Sequence, residues 1–402
     1  MKFLKDILLN IISQSIFVII QQFILFPKFE SIIGSYNFGQ FLVLYAIVNI
    51  IAITVSASFT NLFEKNYNFI KTSVESEKYF YFYFRKLLVI LMVIFFPLVI
   101  LGIILTFNIY ISLSVFLLAS VMACRLYILV KFRIKQEFKN IMFINLLLGF
   151  LYIFIYLFDS LNILNILILF SVCELIILIL LIFILRINIT LILNSSINEK
   201  IGIDILYLII SGFSNSITNY LDRFIISLLI GPSSVTLFYI ITMPSKLLLF
   251  PINMASSVVM SYLSNFENLT NKVKRLVLFA TPLLLIVISL SSYIFGIHII
   301  NLIYSSYNNV FGTIYILSTI TFSLICIDSL LRSFIIKFYE TRLKMNLDIF
   351  TLLCFLILSF ILVFFNRSLV SIAISQLISY TFKNLIQIYL FYKIKTSPRK
   401  EI

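Results

Sequence analysis

Tryptophan is absent from this 402-residue sequence, histidine occurs once, and Cys, Pro and Gly number only 4, 7 and 9. A single histidine, His298, leaves no cluster for a metal and no base to activate a nucleophile, so it reads as an interfacial polar residue. Cys124, Cys173, Cys326 and Cys354 fall at scattered spacings inside apolar runs. That pattern excludes a disulfide framework and a thiolate metal site, and leaves them as small buried apolar side chains. No Ala precedes Ala46, so the opening "MKFLKDILLNIISQSIFVIIQQFILFP" lacks an Ala-x-Ala cleavage site and reads as a retained first helix. Scarce Gly and Pro beside abundant Ile, Phe, Asn and Lys fit an A+T-rich, bacterial genome.

Charge is scarce too, at 11% of residues, while 62% are hydrophobic and the mean hydropathy is +1.13. Apolar runs long enough to cross a bilayer, about twenty residues each, recur from end to end. Lipid offers backbone groups nothing to bond with, and runs of this length favour helices over the short alternating strands of a barrel. The sequence therefore predicts an all-α polytopic membrane protein. Reading apolar runs against polar breaks gives twelve spans, near 7–26, 38–60, 87–107, 110–130, 141–158, 163–185, 204–229, 236–262, 276–299, 310–336, 347–365 and 369–392.

With the N-terminus inside, 23 of the 30 Lys and Arg residues fall in cytoplasmic segments, five within spans, and two, Lys28 and Arg367, outside. That asymmetry predicts cytoplasmic termini in a bacterial cytoplasmic (inner) membrane. The net charge of +14 is then a matter of topology, with attraction to anionic lipid as a side effect and no implication of nucleic-acid binding. External loops are short, the longest being Pro27 to Asn37, and they carry only Glu30 and Asp159 as acids. The longest cytoplasmic loop is Asn61 to Lys86. A membrane glycosyltransferase, polymerase or ligase, which would place catalytic acids on sizeable external loops, is disfavoured. So is a major-facilitator transporter, because the loop between spans 2 and 3 contains no Gly.

"IGSYNFGQF" (Ile33 to Phe41) and "IGPSSVTLF" (Ile230 to Phe238) share an Ile-Gly turn and a Phe seven residues beyond the Gly, offset by half the chain. This predicts two parallel six-helix lobes, residues 1–200 and 201–402.

Within the spans, polar residues fall on helical faces. Ser211, Asn215, Thr218 and Asp222 share one face of span 7. A charge near the bilayer centre costs roughly 2.5 to 3.5 kcal/mol, so Asp222 and its neighbour Arg223 need compensation. The two point about 100° apart and seek different partners. Thr242, Lys246, Asn253 and Ser257 line one face of span 8, at a depth that makes Lys246 a partner for Asp222, with Pro244 and Pro251 expected to kink the helix. Span 10 carries Ser318, Thr321, Asp328 and Arg332, span 12 a ladder of Ser371, Ser375, Ser379 and Lys383, and span 1 Asn10, Gln14 and Gln21. Asp328 and Arg332 form an (i, i+4) pair, or Arg332, like Arg125 in span 4, snorkels to the cytoplasmic interface. Glu174 is the lone acid in the middle of span 6, either a protonated packing residue or a coupling site. Five embedded bases against three acids predict a cavity of net positive sign, suited to an anionic substrate.

The stretch Asn219 to Asn265, with Asp222, Arg223, Gly231 and Tyr239, resembles the corresponding region of O-antigen flippases of the Wzx type, members of the multidrug, oligosaccharidyl-lipid and polysaccharide exporter superfamily. The resemblance implies alternating-access transport of an undecaprenyl-diphosphate-linked oligosaccharide, with no cofactor and no metal. The site residues would be Arg223 first and Lys246 second, within a cavity lined by Asp222, Asn215, Thr218, Asn253, Gln14, Gln21, Lys383 and Arg332. A polysaccharide polymerase and a chain-length regulator would be the protein partners. The alternative is a drug exporter of the same superfamily, coupling to cations through Glu174, Asp222 or Asp328.

Overall fold

The computed structural model describes residues 12, 15–67, 73–106, 108–135, 137–188, 190–191, 203–263, 269–307, 312–394 and 396–397. Helix dominates: after a π-helical turn, Ile20–Leu25, come α1 (Phe26–Tyr67), α2 (Ser73–Thr106), α3 (Ile109–Ile128), the short α4 (Val130–Ile134), α5 (Phe138–Ile155) and α6 (Ile163–Ile184). Then follow α7 (Ile203–Leu229), α8 (Pro232–Leu263), α9 (Asn271–Ile303), α10 (Thr313–Phe338), α11 (Thr341–Phe365) and α12 (Leu369–Lys393). Ten helical stretches are long and apolar enough to cross a membrane. One of them, Ser15–Phe63, is broken at Gly34 and so spans two of the predicted passes, and the more polar α7 adds another. The predicted twelve passes are thus all helical among the described residues, and the all-α polytopic fold stands.

The connections differ from expectation in being more helical. The external loop placed at Pro27 to Asn37 is helix on both sides of a single residue, Gly34, whose φ of 77° leaves the α region. Pro27 does not end the first pass. A proline lacks the N–H that would close an α-turn, and the adjoining π-helical turn is the kind of local rearrangement that accommodates it. The cytoplasmic loop placed at Asn61 to Lys86 is likewise helical through Tyr67 and again from Ser73.

Gly231 makes the matching joint between α7 and α8, with φ of 132°. Its N–H and that of Ile230 both bond the carbonyl of Ile226, at 2.8 and 2.9 Å, closing the helix end, and Pro232 opens α8 with its preset φ. Seven residues past each glycine, Phe41 and Phe238 are fully buried. The Ile-Gly…Phe similarity read from sequence therefore marks two joints with positive-φ glycines. A Cβ at Gly231 meets no atom within 4 Å, so Gly231→Ala tests backbone strain alone. It is expected to lower stability by about 1–3 kcal/mol, measured as a fall in thermal midpoint in detergent.

The chain divides into two compact units, residues 12–220 and residues from 221 onward; the expected boundary at 200/201 lies outside the described residues. In the first unit α3 packs on α1, α2 and α6. Its core is aromatic: Phe26 meets Phe41 edge-on at 5.7 Å, and Phe170 contacts both Phe41 and Tyr152. A second aromatic cluster forms where Phe80 and Phe84 stack on Tyr127, and Lys131 covers Phe80. In the other unit α10 is central, packed on α8, α9 and α12, and α12 also meets α11. Leu269–Thr270 pairs in parallel with Thr396–Ser397 beside this helix group.

Candidate functional site

Asp222 is fully buried on α7. One carboxylate oxygen accepts the backbone N–H of Arg223 at 2.9 Å, and the other faces Lys246 Nζ from α8 at 3.4 Å. The pairing expected from matched depths is thus present. Arg223, also buried, turns away as the 100° offset requires, and its guanidinium stands over the ring of Tyr239 at 5.6 Å. Lys246 lies over Phe322 of α10 at 5.3 Å. If Asp222 and Lys246 form one unit, Asp222→Asn and Lys246→Met combined should fall short of additivity by about 1–3 kcal/mol in a thermal-stability cycle. Full additivity would show that the pair is not coupled.

The rest of the α7 face is mostly satisfied locally. Thr218 donates to the carbonyl of Ser214 at 2.7 Å, and Ser211 is buried. Asn215 Oδ1 is buried without a hydrogen-bond partner. Beside this face, Ser216 receives a hydrogen bond from Thr54 of α1 at 2.7 Å, and a Cβ on Gly212 would lie 3.3 Å from Thr54 Cγ2. On α8, Asn253 accepts from Ser329 at 2.5 Å, and Ser256 pairs with Ser333, fastening α8 to α10. Gln21 donates to the Tyr45 hydroxyl at 2.5 Å; Gln14 and Asn10 lie outside the described residues.

Three sequence expectations are corrected. Glu174 is not a lone acid: Arg125 of α3 forks onto it through Nε and Nη2, and Tyr152 donates to the same carboxylate at 3.2 Å. Arg125 is 3% exposed and does not snorkel. Arg332 does not snorkel either, because its Nη2 bonds Asp328 at 2.5 Å. The count of embedded charges also grows: Asp348, one residue inside the predicted span 347–365 but not counted among its acids, is buried, and α11 begins at Thr341, so Lys344 joins it. Both were missed by reading hydropathy alone, although their (i, i+4) spacing was a usable signal.

These residues join Lys383 in one buried chain. Lys383 Nζ lies 3.1 Å from Asp328 and 3.0 Å from Asp348, while Arg332 and Lys344 hold the outer oxygens of the two acids. Gln387 donates to Asp328 at 2.7 Å. In the serine ladder that leads to Lys383, Ser375 and Ser379 donate back to Ser371 and Ser375 of their own helix. Glu174, Asp222, Asp328 and Asp348 are each engaged by a Lys or Arg, and Arg125, Arg223, Lys246, Arg332, Lys344 and Lys383 outnumber them. Among the described residues no cluster of His, Cys, Asp and Glu is arranged to hold a metal, and the four cysteines are free thiols.

No protein-family model matches the sequence, and no curated protein does. Solved structures do. A MATE in complex with Br-NRF is similar with a TM-score of 0.65 and 11% identity, covering 97% of this chain and 94% of that one. Two conformations of a "multidrug resistance MATE family transporter of the MOP superfamily" are similar as well. The inward-facing one has a TM-score of 0.61 and 12% identity over 96% of this chain and 94% of that one. The outward-facing one has 0.58 and 12% over 97% and 94%. The overall fold is shared across nearly the whole length of both chains.

Proposed function

We propose that the protein is a membrane transporter working by alternating access, not an enzyme, and that its cargo is an anionic amphiphile of the lipid-linked oligosaccharide class. The fold supports the first part, since neighbours over almost the entire chain are transporters described in inward- and outward-facing conformations. One observation carries the second part: among the described residues the buried acids Glu174, Asp222, Asp328 and Asp348 are each tied to a base, and the bases around them are in surplus. A cationic cargo would have to compete with a resident ammonium or guanidinium for each carboxylate, whereas a diphosphate head group meets groups of opposite sign.

Arg223, buried beside Tyr239, is the first residue assigned to the diphosphate, and Lys246, only part-buried, is the second. In this reading the chain sits in a bacterial cytoplasmic membrane with both termini inside, and supplies a polymerase and a chain-length regulator with substrate.

Multidrug export is the second reading. What the fold neighbours are described as favours it, and on the comparisons alone it is the better supported of the two. The test is a strain lacking the gene. Loss of surface glycan, restored by the wild-type gene, supports the flippase; intact glycan with hypersensitivity to cationic dyes supports the exporter.

A further inference from the structure

Lys383 is unusual in having an acid on each side. Its side chain is 2% exposed, in the interior of α12, and its ammonium lies 3.1 Å from Asp328 Oδ1 and 3.0 Å from Asp348 Oδ1. Those carboxylates come from α10 and α11 and are almost wholly buried. Each already has a base one turn away on its own helix, and that base takes the other oxygen: Arg332 holds Asp328 Oδ2 and Lys344 holds Asp348 Oδ2. The two Oδ1 atoms therefore both lie about 3 Å from one point, and a positive charge stands there.

Two amide oxygens of α12 close to Lys383 in sequence are buried and unsatisfied. Gln387 is anchored by its amide N–H on Asp328 Oδ1, which fixes its orientation, and its Oε1 is buried with no hydrogen-bond partner. Asn384, anchored through its own amide on the carbonyl of Leu324, likewise leaves Oδ1 buried and unsatisfied. Two carboxylate oxygens, with the Gln387 amide beside one of them, are the ligand types that hard cations take. An unsatisfied buried carbonyl carries a cost that a bound cation or its water would remove.

We propose that the Lys383 ammonium is a tethered cation occupying an interior site for a hard monovalent ion, so that this protein holds no exchangeable metal ion between Asp328 and Asp348, and that removing the ammonium opens the site to sodium. The inference is independent of the cargo. It bears on the coupling role expected for Asp328, because an acid with Lys383, Arg332 and Gln387 on its two oxygens has no vacancy for an incoming ion.

Lys383→Met is the direct test, since methionine reproduces the stem and omits the terminal nitrogen. The purified full-length protein is unfolded in detergent in sodium chloride or choline chloride at equal ionic strength, with a thiol-reactive dye reporting exposure of the buried cysteines. The wild-type midpoint should be the same in both salts. The K383M midpoint should be lower in choline and rise saturably with sodium, by about 4 °C at a hundredfold excess over the dissociation constant. Adding Asp348→Asn to K383M should abolish that rise. A saturable sodium shift in the wild type overturns the proposal, and so does a folded K383M with equal midpoints in both salts. If K383M does not accumulate, K383Q is judged by the same criteria.

Discussion

Arg125→Ala is expected to destabilise the protein by about 3–5 kcal/mol, because it strands the Glu174 carboxylate in a fully buried position. The size of the effect comes from what remains, not from what the pair contributes. Replacing both members with apolar residues of similar volume, Arg125→Met with Glu174→Leu, should return stability to within about 1 kcal/mol of the wild type or above it. Cys124 and Cys173, the neighbours of the two residues in sequence, are buried free thiols and give a local readout. Their maleimide labelling should accelerate in the single variant and not in the double. Equal loss in both variants would mean that the pair holds the helices together by attraction, contrary to the desolvation argument.

Arg223→Ala should have the largest effect on transport with little effect on insertion. Asp222 keeps Lys246 and the Arg223 backbone N–H as partners, so that carboxylate is not stranded. A charge-assisted contact to phosphate is worth about 1.5–3 kcal/mol, which sets an expected loss of roughly 10- to 100-fold in transport rate at limiting substrate. Arg223→Lys keeps the charge but loses the planar fork, and should recover only part of the activity. Full transport by Arg223→Ala, present at wild-type levels in the membrane, would remove this residue from the site.

Hydropathy made the passes legible because lipid selects for long apolar runs, and the α7 and α8 faces were legible because their polar residues recur at helical spacing. The Asp222–Lys246 pair followed from depth alone. What was not legible has a common cause: partners far apart in sequence leave no local pattern. Arg125 and Glu174 are 49 residues apart, so each looked isolated. Lys344 lay before the apolar run that starts at residue 347, and Asp348 at its very edge, where hydropathy gives polar residues little weight, although α11 continues through both. The same limit hid the helical ends beyond the apolar runs, such as the extension to Tyr67.

Seen together, the ion pairs repeat the symmetry hinted at by Gly34 and Gly231. In the first unit a base on the fourth pass, Arg125, meets an acid on the sixth, Glu174; in the other an acid on the tenth pass, Asp328, meets a base on the twelfth, Lys383. Helices at the same place in the pass order are joined by charge in both units, with the signs exchanged. That exchange would be invisible to any search for matching residues between the halves.

The most direct test of the account is translocation by the purified protein in vesicles, with two probes offered in parallel. One is a fluorescent undecaprenyl-diphosphate-linked sugar, and the other is a cationic dye. Wild-type protein should move the anionic glycolipid between leaflets, Arg223→Ala should not, and neither should accumulate the dye. Wild-type protein that accumulates the dye and leaves the glycolipid in its original leaflet would contradict the proposed cargo.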